Sequence, residues 1–305
     1  MLLGCKPCFG TALLTMFAAA VLSLPAAGAE SDSANDPAQW VDPFIGCAWT
    51  GNTHPGASLP FGLVQPGPDS GTGDWKHCSG YKWDDPWIYG FSQTHLSGTG
   101  CPELADVRLL PFTGELVGSA DRFRGYKDFA SEKAEPGYYA VTLTNFGVRA
   151  ELTCGRRMAF HRWTPAHGGR LEVLVDPQWA SAHTGKLPGH ILSCEGRALP
   201  DRRTVVVGYR HKAWLEREVH FKLRFDRPWA ARRELPLGPK EKAPRAVYSF
   251  DLAAGESLGA RIAISTTDDD GAARNFAAED DLDFDAARSA ARREWNAYQI
   301  GRAHV

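Results

Sequence analysis

The sequence predicts an all-β protein built as a large antiparallel sandwich, and three observations support this fold class. From Trp40 to about Thr267, short runs rich in Val, Tyr, Phe, Thr and Leu are separated by clusters of Gly, Pro, Asp and Asn. No helical pattern interrupts these runs, and together they span more than two hundred residues, which favours one large sandwich. No repeat of fixed period is visible, so a propeller is not expected.

The clearest pair of predicted strands forms a hairpin. Residues Tyr138–Thr144 and Val148–Thr153 flank the short glycine-containing loop Asn145-Phe146-Gly147. In Glu218–Phe225 apolar and polar residues alternate strictly, which places one face of that strand in a core and the other in water. Further strands are expected at Val107–Leu110, Met158–Trp163, Leu171–Val175, Thr204–Tyr209, Ala246–Leu252 and Leu258–Ser265.

After Asp268 the pattern changes from strands to a single amphipathic helix. Asp283 or Asp285 stands at the expected N-cap, and apolar residues recur at helical spacing at Phe284, Ala287, Ala291, Trp295 and Tyr298. Residues 30–267 are therefore expected to form the sandwich domain and residues 268–299 the start of a helical linker. The stripe has no partner in the sequence, so we expect Phe284, Ala291 and Trp295 to be exposed and to favour association.

The two ends of the chain are expected to lie outside the folded domain. Residues 1–29 contain an apolar stretch, Ala12–Leu24, followed by Ala27-Gly28-Ala29, which is typical of a secretory signal peptide and predicts a secreted or periplasmic protein. After its removal no membrane span is expected. Residues 300–305 resemble a translated sequencing adapter, and we expect the natural chain to continue past Gln299.

Composition excludes some classes of function. The chain has 34 basic and 36 acidic side chains, a formal net charge of −2, so there is no electrostatic reason to expect a nucleic-acid partner. The pair Cys5 and Cys8 lies inside the predicted leader and cannot form a folded metal or redox site. No disulfide framework is expected, although one bridge is compatible with the five remaining cysteines, Cys47, Cys78, Cys101, Cys154 and Cys194.

The segment from Trp40 to Leu116 carries the strongest indication of chemistry. Within it, Asp74–Tyr89 places five aromatic rings among hydrogen-bonding side chains. Sugars have apolar C–H faces and a rim of hydroxyls, so a sugar site combines flat aromatic surfaces with oriented polar groups. The alternative is that Trp83, Trp87 and Tyr89 simply fill a core.

Other candidate groups in this segment allow two interpretations each. His54, His77 and His95 do not stand at metal-ligand spacing, so core or hydrogen-bonding roles are favoured and no metal ligand is predicted. The carboxylates could supply a self-contained acid and base pair, but solvated loop carboxylates are the favoured interpretation of Asp84, Asp85, Glu103 and Asp106.

Long motifs in this segment resemble glycoside hydrolase family 92, the exo-acting α-mannosidases. The resemblance continues downstream in the same order at Ala134–Tyr139, Ala150–Thr153 and Phe160–Trp163. The motifs that carry it are Val41-Asp42-Pro43-Phe44-Ile45-Gly46, then Asn52-Thr53-His54-Pro55-Gly56-Ala57-Ser58-Leu59-Pro60-Phe61-Gly62-Leu63-Val64-Gln65, then Cys78-Ser79-Gly80-Tyr81, and Ile88-Tyr89-Gly90-Phe91-Ser92-Gln93-Thr94-His95-Leu96-Ser97-Gly98-Thr99-Gly100-Cys101.

The resemblance implies a galactose-mutarotase-like β-supersandwich joined by helices to an (α/α)6 barrel that is missing here. Family members are calcium-dependent and inverting, and their barrel supplies the acid, the base and most calcium ligands, so no catalytic residue is assigned in this chain. The implied partner is a mannose-containing glycan. The residues implied in sugar recognition are Cys78, Ser79, Gly80, Tyr81, Tyr89, His95, Thr99 and Gly100.

Two departures from the family pattern lie in this recognition region. Gln93 stands where the family usually has His, and Cys47-Ala48-Trp49-Thr50 replaces a more glycine-rich loop. The sequence therefore predicts the recognition domain of an α-mannosidase that is inactive alone. The alternative is a carbohydrate-binding sandwich without a catalytic half.

Overall fold

The computed structural model describes residues 36–71, 75–180 and 190–300, without the side chains of Gln299 and Ile300. The predicted signal peptide at 1–29 lies outside these ranges, as do all of the adapter-like residues 300–305 except Ile300. Across the described residues, no helix is both long enough and apolar enough to cross a membrane.

The described residues form sixteen β-strands and two α-helices. In chain order these are β1 (Gly67–Asp69), β2 (Trp87–Ile88), β3 (Gly90–Ser92), β4 (Arg108–Phe112), β5 (Gly125–Tyr126), β6 (Lys133–Glu135), β7 (Tyr138–Leu143), β8 (Val148–Cys154), β9 (Met158–Pro165), β10 (Gly169–Asp176), β11 (His190–Ala198), β12 (Thr204–Lys212), β13 (Glu216–Phe225), β14 (Ala231–Glu234), β15 (Ala246–Leu252), β16 (Leu258–Ser265), α1 (Asp269–Ala277) and α2 (Phe284–Ile300). Short 3-10 helices lie at Pro37–Trp40 and Ala120–Arg122.

Two antiparallel sheets face each other, which confirms the predicted fold class. One sheet has six strands in the order β1-β3-β4-β10-β15-β14, and the other has eight in the order β11-β12-β13-β16-β9-β8-β7-β6. Strands β2 and β5 form a separate two-stranded ribbon. The predicted hairpin is β7–β8, and Gly147 in its loop adopts a positive φ of 58°.

The core lies between the inner faces of the two sheets. On β13 the alternate residues Val219, Phe221, Leu223 and Phe225 are buried, as the alternation in this strand predicts. The Phe225 ring lies 4.9 Å from the ring of Phe250 on the facing sheet. Burial of such aromatic pairs contributes most of the hydrophobic stabilisation of a sandwich.

Two helices, rather than the single helix predicted, follow the last strand. Asp268 caps α1 through a hydrogen bond from the Gly271 amide, and Asp283 caps α2 by accepting from the Ala286 amide at 2.7 Å. Phe276 of α1 belongs to a second apolar cluster on the outer face of the eight-stranded sheet. The members of this cluster are Met158, Phe160, Ala263, Phe276 and Ala287.

The expectation of an exposed stripe on α2 is wrong. Ala287 and Ala291 are 1% exposed, Phe284 is half-buried, and the Trp295 indole N–H donates to the Ser58 carbonyl at 2.6 Å. Strands β8 and β9 and the loop around Ser58 present an apolar outer surface, so the helix buries its stripe against its own domain.

Candidate recognition site

The predicted recognition segment folds as a set of loops around β1, β2 and β3. Hydrogen bonds tie these loops to one another: the Trp83 amide donates to the Cys47 carbonyl at 2.9 Å, and the Gly98 amide donates to the Asn52 carbonyl at 2.6 Å. The Thr53 amide also donates to the Gly46 carbonyl at 3.3 Å, so the four stretches that the sequence motifs cover are one connected unit.

Asp69, at the end of β1, is the centre of the first polar cluster. Its carboxylate accepts from the amide and the hydroxyl of Ser92 at 3.0 Å, and Oδ1 lies 3.1 Å from Nε2 of His95. His95 is 3% exposed, and its Nδ1 donates to the carbonyl of Gln65 at 2.8 Å. The structure thus fixes His95 through Gln65 and Ser92, which belong to the sequence motifs, and through Asp69, which sequence analysis did not single out.

Gly80 approaches the same cluster closely. Its φ is +86°, and a Cβ atom at this position would lie 2.9 Å from Oδ1 of Asp69 and 3.2 Å from the His95 ring. A side chain is excluded both by the backbone conformation and by space. Two predicted recognition residues, Gly80 and His95, are therefore brought together by Asp69.

Tyr81 is buried and connects the loops to the eight-stranded sheet. Its hydroxyl donates to Oε1 of Glu132 at 2.7 Å, and the Tyr139 hydroxyl donates to the same oxygen at 2.6 Å. The Lys127 ammonium lies 3.0 Å from the other oxygen of Glu132. Burial and the neighbouring Glu132 carboxylate raise the pKa of Tyr81, so the phenol stays neutral and anchors the loop.

Cys78 and Ser79 lie inside this loop, whereas two nearby aromatic side chains point outward. Cys78 and Ser79 are at most 1% exposed, and the Ser79 hydroxyl donates to the Tyr81 carbonyl at 3.4 Å. Trp75 and Trp83 are 68% and 47% exposed. Trp83 therefore does not fill the core and offers an aromatic surface to solvent.

Tyr89 and Trp87 are partly buried in a stack of aromatic and cationic groups. The Tyr89 hydroxyl accepts from Arg124 at 2.8 Å, and its ring centroid lies 5.4 Å from that of Trp179. The Arg124 guanidinium lies 4.2 Å from the centroid of Trp87. The contact of Tyr89 with a sugar remains a prediction.

Thr99 and Gly100 lie at the projecting end of the loop that follows β3. Gly100 is exposed and has open space around it, and the Thr99 hydroxyl donates to the Cys101 carbonyl at 3.3 Å. These two residues are free to meet a ligand, unlike the buried Cys78, Ser79 and Tyr81.

Gln93, which departs from the family pattern, has all its amide atoms engaged. Nε2 donates to the carbonyls of Phe91 at 2.9 Å and Val107 at 3.0 Å, and Oε1 accepts from Nε2 of His161 at 2.8 Å. The side chain is fully buried. Gln93 therefore connects the recognition loop to β9 rather than facing a ligand.

Two of the four candidate carboxylates are buried, so the interpretation of Glu103 and Asp106 as solvated is wrong. Each is 3% exposed, and Asp106 accepts from Arg217 at 2.5 Å and from the Tyr209 hydroxyl at 2.6 Å. Burial opposes ionisation of Asp106, but Arg217 and the hydroxyl donors outweigh it and lower its pKa. Asp106 is therefore held as a charged group whose oxygens are already engaged by the protein.

The remaining two carboxylates differ in their surroundings. Asp84 is exposed, as expected. Asp85 accepts from the Ser70 hydroxyl at 2.6 Å and lies 2.9 Å from Nε2 of His77. Partial burial raises the pKa of Asp85, but the hydrogen bonds with His77 and Ser70 lower the pKa by more than burial raises it. The net shift of this pKa is downward.

The described residues do not fit a calcium site. Within 36–71, 75–180 and 190–300, no group of three or more His, Cys, Asp or Glu side chains is placed to hold a metal ion. Calcium prefers several carboxylate and carbonyl oxygens. Three carboxylates are engaged by cationic side chains instead, in the pairs Asp106–Arg217, Asp176–Arg108, Asp176–Arg245 and Glu132–Lys127, and the buried Asp69 is held by Ser92 and His95.

The histidines and cysteines of the segment have structural contacts. The His54 ring stacks on His95 at 4.7 Å, consistent with the favoured hydrogen-bonding or core role. Cys47 is buried, and burial raises the pKa of its thiol to about 11. Within the described residues, none of the five cysteines forms a disulfide bond.

Comparison with solved structures finds the same fold in two mannosidases. A family 92 α-mannosidase from Bacteroides thetaiotaomicron is 31% identical with a TM-score of 0.76, over 85% of this chain and 38% of that chain. The structure of that enzyme in complex with mannoimidazole matches equally well over 36% of its chain. A family 92 inverting mannosidase from the same species, 24% identical with a TM-score of 0.70, covers 86% of this chain and 36% of its own, and supports the fold alone.

Sequence comparisons agree with the structural ones. An uncharacterised secreted glycosidase from Arthroderma benhamiae is 31% identical over 153 residues, which is 46% of this chain and 19% of that protein. The chain thus spans a minor part of the length of each of these relatives. Residues 40–265 match the N-terminal domain of glycosyl hydrolase family 92, and the chain therefore belongs to that family.

Proposed function

We propose that this chain is the sugar-recognition domain of a secreted or periplasmic exo-α-mannosidase that removes terminal α-linked mannose from glycans. The observation that carries the proposal is the connected set of recognition loops, in which Gly80 and His95 meet around Asp69. The 31% identity to an α-mannosidase whose structure was also obtained with mannoimidazole supports mannose as the sugar. The fungal relative that is named a secreted glycosidase supports export.

The polar contacts of the loops suit recognition better than catalysis. The buried carboxylates Asp106 and Glu132 are held by Arg217 and Lys127, so neither is free to transfer a proton. Exposed Trp75 and Trp83 and the projecting Thr99 and Gly100 offer stacking and hydrogen bonds to a sugar.

For the whole protein we propose an inverting reaction with both carboxyl groups supplied by a second, (α/α)6 domain. One carboxylic acid protonates the departing oxygen, and a carboxylate activates water on the opposite face, with the two groups roughly 6.5 to 9.5 Å apart. Calcium, bound by that second domain, would coordinate sugar hydroxyls through its preference for oxygen. The described residues of this chain would orient the terminal sugar.

Calorimetry on this chain tests the recognition proposal. We expect binding of methyl α-mannoside but not of its epimer methyl α-glucoside, and no release of mannose from α-linked mannobiose. Absence of mannoside binding contradicts the proposal, and hydrolysis by the chain alone would place the catalytic carboxylates within it. In the full-length protein, mannose release should require calcium and stop on chelation.

A further inference from the structure

The tip of the β12–β13 hairpin exposes two large apolar side chains. Trp214 and Leu215 are 53% and 65% exposed. A tryptophan exposed at a hairpin tip offers a flat apolar face with a polar N–H at its edge, which is the surface that aromatic sugar platforms use. The position of this tip relative to the recognition loops decides whether Trp214 can act in this way.

A buried ion pair fastens the tip to the loop that follows β3. The Trp214 amide donates to Oε2 of Glu103 at 3.0 Å, and Arg217 donates to Asp106 at 2.5 Å. The Tyr209 hydroxyl reaches the same oxygen of Asp106 at 2.6 Å. Because both carboxylates are almost fully buried, separating the hairpin from the loop would leave uncompensated charge in the interior.

The loop held by this ion pair has an unusual backbone. Leu104, Ala105 and Val107 have φ values of 72°, 56° and 52°. Left-handed backbone is disfavoured for residues other than glycine, most of all for a β-branched residue such as Val107. Strained backbone of this kind persists only where the surroundings hold it, and it concentrates at functional sites.

Contacts on the other side of the loop complete its restraint. The Ala105 amide donates to the Thr94 carbonyl at 2.9 Å, and the Asp106 amide donates to the Thr94 hydroxyl at 3.0 Å. Thr94 immediately precedes His95. Hydrogen bonds therefore connect the hairpin, the strained loop and Thr94, the neighbour of His95, in one series of contacts.

The residue that anchors Trp214 belongs to the same loop as Thr99 and Gly100. Glu103, which anchors Trp214, is four residues beyond Thr99, and four residues span at most about 14 Å. This upper limit on the separation of Thr99 and Glu103 allows one sugar unit to lie at Thr99 and Gly100 and the adjoining unit to lie near Trp214.

We propose that Trp214 is a specificity-determining residue that stacks on the sugar unit next to the terminal mannose, and that Arg217 is a positioning residue that holds the hairpin tip in place. This inference rests on the proposed recognition of mannose by the chain. Trp214 should therefore contribute to binding of a disaccharide and not of a monosaccharide.

Calorimetry with two ligands tests the role of Trp214. In Trp214→Ala we expect affinity for α-linked mannobiose to fall about two- to tenfold, the range of an aromatic contact, while affinity for methyl α-mannoside is unchanged. The control is Trp40→Ala, because Trp40 is 83% exposed and lies on the 3-10 helix that α2 contacts through Asn296 and Ala38. This control should change neither affinity.

The outcomes separate this inference from the proposed function. If the wild-type chain binds both ligands and Trp214→Ala loses affinity for neither, or for both equally, the role of Trp214 is wrong and the proposed function stands. If the wild-type chain binds neither ligand, the proposed function fails and this inference fails with it.

The positioning role of Arg217 has its own readout. In Arg217→Met we expect faster hydrogen exchange at residues 101–107 and the same loss of affinity confined to mannobiose, with partial recovery in Arg217→Lys. Arg210→Met is the matched control, since Arg210 lies on the same hairpin and pairs with Glu216 at an exposed site. Unchanged exchange at 101–107 in Arg217→Met would overturn the positioning role whatever the ligand data show.

Discussion

His161 on β9 donates its Nε2 hydrogen to Oε1 of Gln93 across the sandwich interior, over a distance of 2.8 Å. The direction of this bond is set by Gln93, whose amide nitrogen donates to the carbonyls of Phe91 and Val107 and leaves only the oxygen for the histidine. His161 is 1% exposed, and among the residues that the structure describes its Nδ1 has no hydrogen-bond partner. One buried hydrogen bond thus joins the recognition loop that follows β3 and the eight-stranded sheet.

Replacing Gln93 should destabilise the domain, and the loss should grow with the number of its hydrogen-bond partners that are left unsatisfied. Gln93→Met removes three hydrogen bonds and should lower the free energy of unfolding by about 3 kcal/mol, because a buried polar group without a partner costs about 1–3 kcal/mol. Gln93→His should cost less, since an imidazole can satisfy two of the three partners. Urea denaturation at pH 7 measures both values.

A double-mutant cycle checks the contact itself. Gln93→Met combined with His161→Leu should cost less than the sum of the two single changes, because the double variant leaves no unpaired imidazole N–H. Strictly additive effects would show that the two side chains do not interact.

His161 should also make the stability of the domain depend on pH. Burial lowers its pKa to about 3, whereas an unfolded histidine titrates near 6.5. As the pH falls, His161 therefore takes up a proton in the unfolded state before it does so in the folded state. Its contribution to the free energy of unfolding is constant above about pH 6.5 and declines from there toward pH 3. At pH 5 the loss from this one group is about 2 kcal/mol.

The difference in the free energy of unfolding between pH 7 and pH 5 isolates the contribution of His161. In His161→Leu the free energy of unfolding should fall by about 2 kcal/mol less over that interval than in the wild type, even if the variant is less stable at both pH values. Equal falls in the two proteins would show that His161 does not stay neutral in the folded state.

Local patterns explain which elements could be predicted from the sequence. The alternation in β13 and the glycine in the β7–β8 loop each report a local backbone requirement, and both elements are confirmed. Helix α1 gave no such signal, because only Gly271, Ala272 and Phe276 of its nine residues are buried. Strand β11 is also largely exposed and has little apolar periodicity.

The recognition site was only partly predictable for a different reason. Gly80 and His95 stand in a contiguous motif, but their supports come from far along the chain. Glu132 is 51 residues from Tyr81, and Arg217 is 111 residues from Asp106. Nothing in one sequence tells which distant charge pairs with a given carboxylate, so Glu103 and Asp106 could not be assigned to buried ion pairs in advance.

Replacing Trp295 should lower stability rather than improve solubility. Trp295→Ser removes a half-buried ring and the hydrogen bond to Ser58, and should lower the free energy of unfolding by about 2–3 kcal/mol. Trp295→Phe keeps most of the ring contact and should cost about 1 kcal/mol. Urea denaturation gives these values, and Trp40→Ser, at an exposed tryptophan, should stay within about 0.5 kcal/mol of the wild type. A more soluble and equally stable Trp295→Ser variant would restore the expectation of an unpartnered helix.

Adding a methyl group at Gly80 should damage the recognition cluster more than the same change at a glycine in open space. Both Gly80 and Gly114 have a positive φ, of 86° and 83°, but a Cβ atom meets Asp69 and His95 at Gly80 and nothing within 4 Å at Gly114. Gly114→Ala should therefore cost about 1–2 kcal/mol from backbone strain alone, and Gly80→Ala more, because Asp69 or His95 must shift. The second variant should also lose affinity for methyl α-mannoside in calorimetry, whereas Gly114→Ala should bind as the wild type does. Equal stability losses, or unchanged mannoside binding in Gly80→Ala, would mean that the geometry of Asp69 and His95 does not support the sugar site.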